Sequence, residues 1–134
     1  LPSCTAFFED IRVKFLPSSD PTLPFSAAVT VNGIVYLSGN IGIAPDGTLP
    51  DGLAAQTRLA LDNMVAALAR AGCTLDDVIK CTVMLADMKH WGAFNDIYVP
   101  YFQPGRLPAR SAFGTSGLAL GALVEIECLA RERV

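Results

Sequence analysis

Histidine is all but missing from this chain, with His90 the only one among 134 residues. A histidine metal cluster needs several, and a Ser-His-Asp triad needs helpers that no motif supplies. His90 therefore reads as a surface residue in the polar first turn of a helix. The four cysteines, Cys4, Cys73, Cys81 and Cys128, form no C-x-x-C pair. Two fall inside apolar strand-like runs, so buried free thiols are expected rather than metal ligands or a disulfide framework. Charge is also scarce, 17% of residues against 51% hydrophobic, which argues against a disordered chain. The ten basic residues are scattered and the net charge is -3, so a nucleic-acid partner would find no basic face. Apolar runs break well before the roughly 18 residues that a membrane helix needs. The segment Leu1 to Asp10 lacks the pattern of a secretion signal, and a cytoplasmic protein is expected. No phosphate loop, nucleophile elbow or H-E-x-x-H helix occurs.

What is present is one domain's worth of chain, residues 1–134, enough for one hydrophobic core and hence one site. A first strand is expected near Ile11 to Phe15, then a loop from Pro17 to Pro24. Ala27–Val31 and Ile34–Ser38 flank Asn32-Gly33, a pair that readily takes the positive φ angles of a type I′ hairpin turn. From Leu53, apolar positions recur at threes and fours through Leu68 and Ala71, with Gly72 as the stop, so one amphipathic helix is expected. Val78 to Ala86 reads as a strand. Asp87 can cap a second helix carrying Trp91, Phe94, Tyr98 and Tyr101, which Pro100 should end or bend. Two more strands, near Arg110 to Thr115 and Leu123 to Arg131, complete an α+β domain: a single mixed sheet with two helices on one face.

Nearly every residue of the hairpin strands is apolar, which implies a sheet covered on both sides. Two helices cover only one, leaving the other to neighbouring subunits. In the last strand Val124, Ile126, Cys128 and Ala130 should face the helices. Leu123, Glu125, Glu127 and Leu129 should form a subunit contact containing a polar site. The most informative segment is Leu107-Pro108-Ala109-Arg110-Ser111, because an arginine at a strand start is held on rigid backbone and can grip a carboxylate with two parallel hydrogen bonds.

Pro108-Ala109-Arg110-Ser111 followed by Val124-Glu125-Ile126-Glu127 resembles the paired C-terminal signature of the RidA/YjgF (endoribonuclease L-PSP-like) family of imine and enamine deaminases. Ser38-Gly39-Asn40-Ile41 resembles that family's S-G-Q-I turn, Ala55-Gln56-Thr57-Arg58 its A-Q-T-R helix, and Asp77 to Val83 its D-V-V-K-T-T-V strand. Asn95 and Tyr98 fit its N-x-x-Y helix. Together these cover residues 25–131 in order.

The resemblance implies a chorismate mutase-like fold, a homotrimer with three pockets between subunits, and a hydrolase needing neither cofactor nor metal. Its substrate would be a small 2-imino acid, hydrolysed to a 2-keto acid and ammonia. Carried over by position, Arg110 would bind the substrate carboxylate and Glu125 would position or activate water. Phe25, Ser38, Asn95 and Ala112 would line the pocket. Two positions depart from the pattern: Phe25 stands where the family has a tyrosine, and Ala112 where it has a cysteine. A carboxylate among leucines should have a raised pKa, useful for moving protons. Its plainer alternative is an ion pair at the subunit contact, with Arg110 of the empty site as one candidate partner, and for Glu127 that alternative is preferred. Two other functions fit the same pocket: deamination of a larger unsaturated amino acid, and non-enzymatic binding of a keto acid. Some relatives have been linked to RNA cleavage, which the acidic balance opposes here.

Overall fold

A computed structural model describes residues 12–133. Its strands are β1 (Val13–Leu16), β2 (Ala28–Val31), β3 (Ile34–Leu37), β4 (Asn40–Ile41), β5 (Val78–Leu85), β6 (Ala109–Gly114) and β7 (Val124–Arg131). The helices are α1 (Leu53–Arg70) and α2 (Trp91–Tyr98). The strands form one sheet in the order β1-β2-β3-β7-β5-β6, with β4 also beside β7. β5 and β6 run parallel and the other pairs antiparallel, so the sheet is mixed. No helix among the described residues is long and apolar enough to cross a membrane.

Local chemistry accounts for most of the elements. Asn32 (φ 51°) and Gly33 (φ 79°) take the turn conformation expected between β2 and β3. α1 buries Thr57, Ala60, Leu61, Met64 and Leu68 along one stripe. It stops at Gly72 (φ 79°), where the Cys73 amide donates to the Leu68 carbonyl and the Gly72 amide to that of Ala69. This is the reciprocal C-terminal closure that a left-handed glycine permits. Buried Gln56 then joins distant segments: its side-chain amide donates to the Pro50 carbonyl, and its oxygen accepts from the Leu123 amide at the entry to β7.

Several boundaries differ from those expected from the sequence. The first strand begins at Val13, and Ile11, like Cys4 and the segment Leu1 to Asp10, lies outside the described residues. Asp87 caps a short 3₁₀ turn, Met88–His90, by accepting from the Lys89 amide, and α2 starts only at Trp91. His90 sits in that turn half-buried, its Nδ1 shielded and without a partner among the described residues. Ser38 to Ile41 is more than a turn, because Asn40 and Ile41 pair with Ile126 and Glu125 of β7. Pro100 ends α2 as expected, but it does so in a 3₁₀ turn, Val99–Tyr101, that takes Tyr101 off the helix, where it donates to Asp62 of α1.

The helices cover one face of the sheet. Val35, Val83, Leu85, Val124, Ile126 and Ala130 are fully buried against Leu61, Met64, Leu68 and Phe94. Each such large side chain contributes about 1.5–3 kcal/mol by leaving water. Cys73, Cys81 and Cys128 are buried free thiols. On the open face Phe15 and Val13 of β1, Tyr36 of β3 and Phe113 of β6 remain roughly half exposed or more. These side chains leave apolar surface on both edges of the open face.

Candidate functional site

Strand register decides which face each candidate occupies. Arg110 pairs with Cys81 and Cys81 with Cys128, which is buried toward the helices. Paired residues on adjacent strands point the same way, so Arg110 is on the helix side, and so is Ala112, in register with Val83 and through it with Ile126. Glu125 pairs with Met84, and Met84 with Phe113, an exposed residue of the open face. Arg110 and Glu125 therefore point to opposite sides of one sheet, from strands two places apart, or about 10 Å. No ion pair between them is possible within one chain.

Around Arg110 the helix side is aromatic. The guanidinium carbon lies 4.8 Å from the ring centroid of Tyr98, 5.6 Å from that of Phe94 and 6.0 Å from that of Trp91. Asn95 follows Phe94 on α2, and its Oδ1 is buried without a partner among the described residues. Tyr98 buries its hydroxyl beside the Cys81 thiol, and burial pushes the phenol up, with the thiol adding to the effect. Burial likewise raises the Cys81 thiol, so both groups are neutral near pH 7.

The second group of candidates gathers at the other end of the chain's path. Ser38 donates its hydroxyl to the Ser26 carbonyl at 2.6 Å, fixing the segment that carries Phe25. Phe25 and Ser38 line an open cleft of about 530 Å³ against α1, with Leu23, Ile43, Ala66 and Ala67 among its walls. Gly39 lies between this cleft and Glu125: a Cβ at Gly39 would overlap the Glu125 carboxylate. The atom it would meet is the far end of the Glu125 side chain, so a larger residue at position 39 would displace that carboxylate rather than the backbone. Gly39 is the contact to Glu125 that reading the sequence left out. The Ser-Gly-Asn-Ile segment pointed to it, but only the approach of β7 explains it.

Glu125 is half-buried, and its carboxyl is held above the ordinary value by desolvation first and by the neighbouring Glu127 charge second. This agrees with the direction expected from its sequence setting. Among the described residues it makes no ion pair. Glu127 is exposed and borders a separate hollow on the open face with Tyr36, Lys80 and Thr82. The candidates thus fall into two separate groups, a cationic one on β6 and α2 and an acidic one on β4 and β7.

The family model described as endoribonuclease L-PSP matches residues 17–132. The 2-iminobutanoate/2-iminopropanoate deaminase of Mus musculus is 43% identical over 109 residues, which cover 80% of this chain and 80% of that protein. The protein of the same name from Homo sapiens is 39% identical over 109 residues, with 80% and 79% covered. Among solved structures, the Rid family protein YyfA from Yersinia pestis superposes with a TM-score of 0.81 at 39% identity, covering 90% of this chain and 99% of that one. The YjgF gene product from E. coli gives 0.79 at 30% identity, covering 88% and 94%.

Proposed function

This chain belongs to the RidA/YjgF family, whose model carries the description endoribonuclease L-PSP, and from that premise we propose that it hydrolyses reactive 2-imino and enamino acids to 2-keto acids and ammonia. The single observation on the chain that carries this reading is the Glu125 carboxylate. It is half-buried, raised in pKa by that burial, and held over a glycine rather than bound to a cation. A group serving only structure would be expected to have a partner.

Arg110 binds the substrate carboxylate through paired hydrogen bonds. Glu125, from a neighbouring subunit, orients a water and takes its proton as the oxygen adds to the C=N carbon. The imine nitrogen gains that proton to give a carbinolamine, whose hydroxyl proton then passes through Glu125 to the nitrogen as the C–N bond breaks, the C=O bond forms and ammonia leaves. An imine is already electrophilic, so orientation plus one proton-handling group suffices and no cofactor enters. Ser38 and Phe25 line the acidic half-site; Asn95 and Ala112 line the cationic one, where the Ala112 carbonyl can hold the water. The assembly is a homotrimer in which the open sheet face of each chain is turned toward its neighbours, with no nucleic-acid or membrane partner. A cytoplasmic setting suits the three free thiols among the described residues, which last longest where disulfides do not form.

The test generates imines with an amino-acid oxidase and follows keto-acid and ammonia release with and without the protein. Acceleration is expected, and Arg110→Lys should lose more than about tenfold of it, because lysine keeps the charge but not the planar fork. No acceleration on any imine would leave a keto-acid binding protein as the better reading.

A further inference from the structure

Arg110 makes no ion pair or hydrogen bond through its guanidinium among the described residues, although it is half-buried. Its charge is met by ring faces instead. Trp91, Phe94 and Tyr98 recur at three and four residues and so form one stripe of α2. The stripe is rigid: Phe94 and Tyr98 stack at 5.4 Å between centroids, and Tyr98 packs on Phe102 at 4.9 Å. Phe94 and Tyr98 are buried, and only Trp91, about half exposed, lies at the rim.

We propose that Trp91, Phe94 and Tyr98 are positioning residues for Arg110, an aromatic cradle that fixes the guanidinium through its ring faces and leaves its N–H donors open to a carboxylate ligand. A carboxylate in the same place would fix the arginine more strongly, but it would occupy the fork that a substrate must use. A ring face attracts the cation electrostatically without accepting those in-plane hydrogen bonds. The neutral Tyr98 phenol adds no competing anion. The inference rests on the reading of Arg110 as the carboxylate anchor and assigns that anchor its support.

Trp91 is the only tryptophan in the chain, so its emission reports on the cradle directly. Butyrate is a transparent carboxylate of suitable size. Titrating it into the whole protein should give a saturable change in emission that Arg110→Gln abolishes. Calorimetry should then show Trp91→Leu weakening butyrate binding about two- to fivefold, the span expected for one exposed cation–π contact, with Trp91→Phe recovering most of the loss. Because Trp91 is half exposed, thermal melting of both variants should stay close to wild type. Equal affinity in wild type and Trp91→Leu overturns the cradle, and so does an emission that ignores butyrate. Loss of imine turnover does not bear on these readouts: butyrate binding that depends on Trp91 in a protein without deaminase activity keeps the cradle and sinks the reaction, while turnover with unaltered Trp91→Leu binding does the reverse.

Discussion

Arg110 and Glu125 point to opposite faces of the same sheet, from strands separated by β5. If both act on one substrate, they must come from different subunits, and this can be tested by mixing. Arg110→Gln and Glu125→Gln should each be inactive alone. Co-refolded in equal amounts, they should regain about a quarter of wild-type activity, because a random neighbour pair in a closed ring carries one intact Arg110 and one intact Glu125 with that frequency. Light scattering on the wild type should give the mass of three chains. A mixture as dead as its components, or a monomer at micromolar concentration, would sink the shared pocket.

The Glu127 charge is the second cause, after desolvation, that raises the Glu125 carboxyl. Neutralising it in Glu127→Gln removes a repulsion that disfavours the ionised form, so Glu125 should ionise at lower pH. Whichever limb of the kcat/KM profile Glu125 governs should move toward acid, while the plateau stays near wild type. A limb that stays in place, or moves upward, would detach Glu125 from the titration.

Phe25 is about half exposed and lines the cleft with Ser38. A dry wall favours longer side chains, each buried CH₂ contributing about 0.8 kcal/mol. Imines from leucine, methionine or phenylalanine should therefore outpace 2-aminoacrylate, and Phe25→Tyr should narrow that gap. The ratio of kcat/KM for the leucine-derived imine to that for 2-aminoacrylate decides it: an unchanged ratio in Phe25→Tyr would make Phe25 mere packing in its loop.

Asp77 is buried at the start of β5, where it accepts from the Thr74 amide, from Arg133 at 2.7 Å and from Arg131 at 3.2 Å. Desolvation pushes its carboxyl up, but those donors outweigh it and hold the pKa below the ordinary value. A depressed carboxylate contributes stability that is complete above its unfolded pKa of about 3.9 and is lost as pH falls through the lower folded value. Asp77→Asn should cost about 1–3 kcal/mol at neutral pH and flatten that acid limb. Urea melts at pH 7 and pH 3 would show it, and equal midpoints at pH 7 would contradict it.

Much of the architecture was legible because its signals are local. The Asn32-Gly33 turn, the α1 stripe ending at Gly72, and the alternation of Val124, Ile126, Cys128 and Ala130 depend on residues a few places apart. Arg110 and Glu125 could be picked out as residue types in context, and burial of Glu125 among leucines already implied its raised pKa. What the chain alone left undetermined is where those groups point. The face that Arg110 occupies depends on the register of β6 against β5, a pairing across 23 intervening residues whose one-place slip would turn the arginine to the other side. The β4 pairing, the fit of Glu125 over Gly39 and the aromatic cradle likewise join segments distant in sequence. Side-chain periodicity is a property of a strand or helix by itself, whereas a site is a property of how strands register and helices land, and only the tertiary structure decided that.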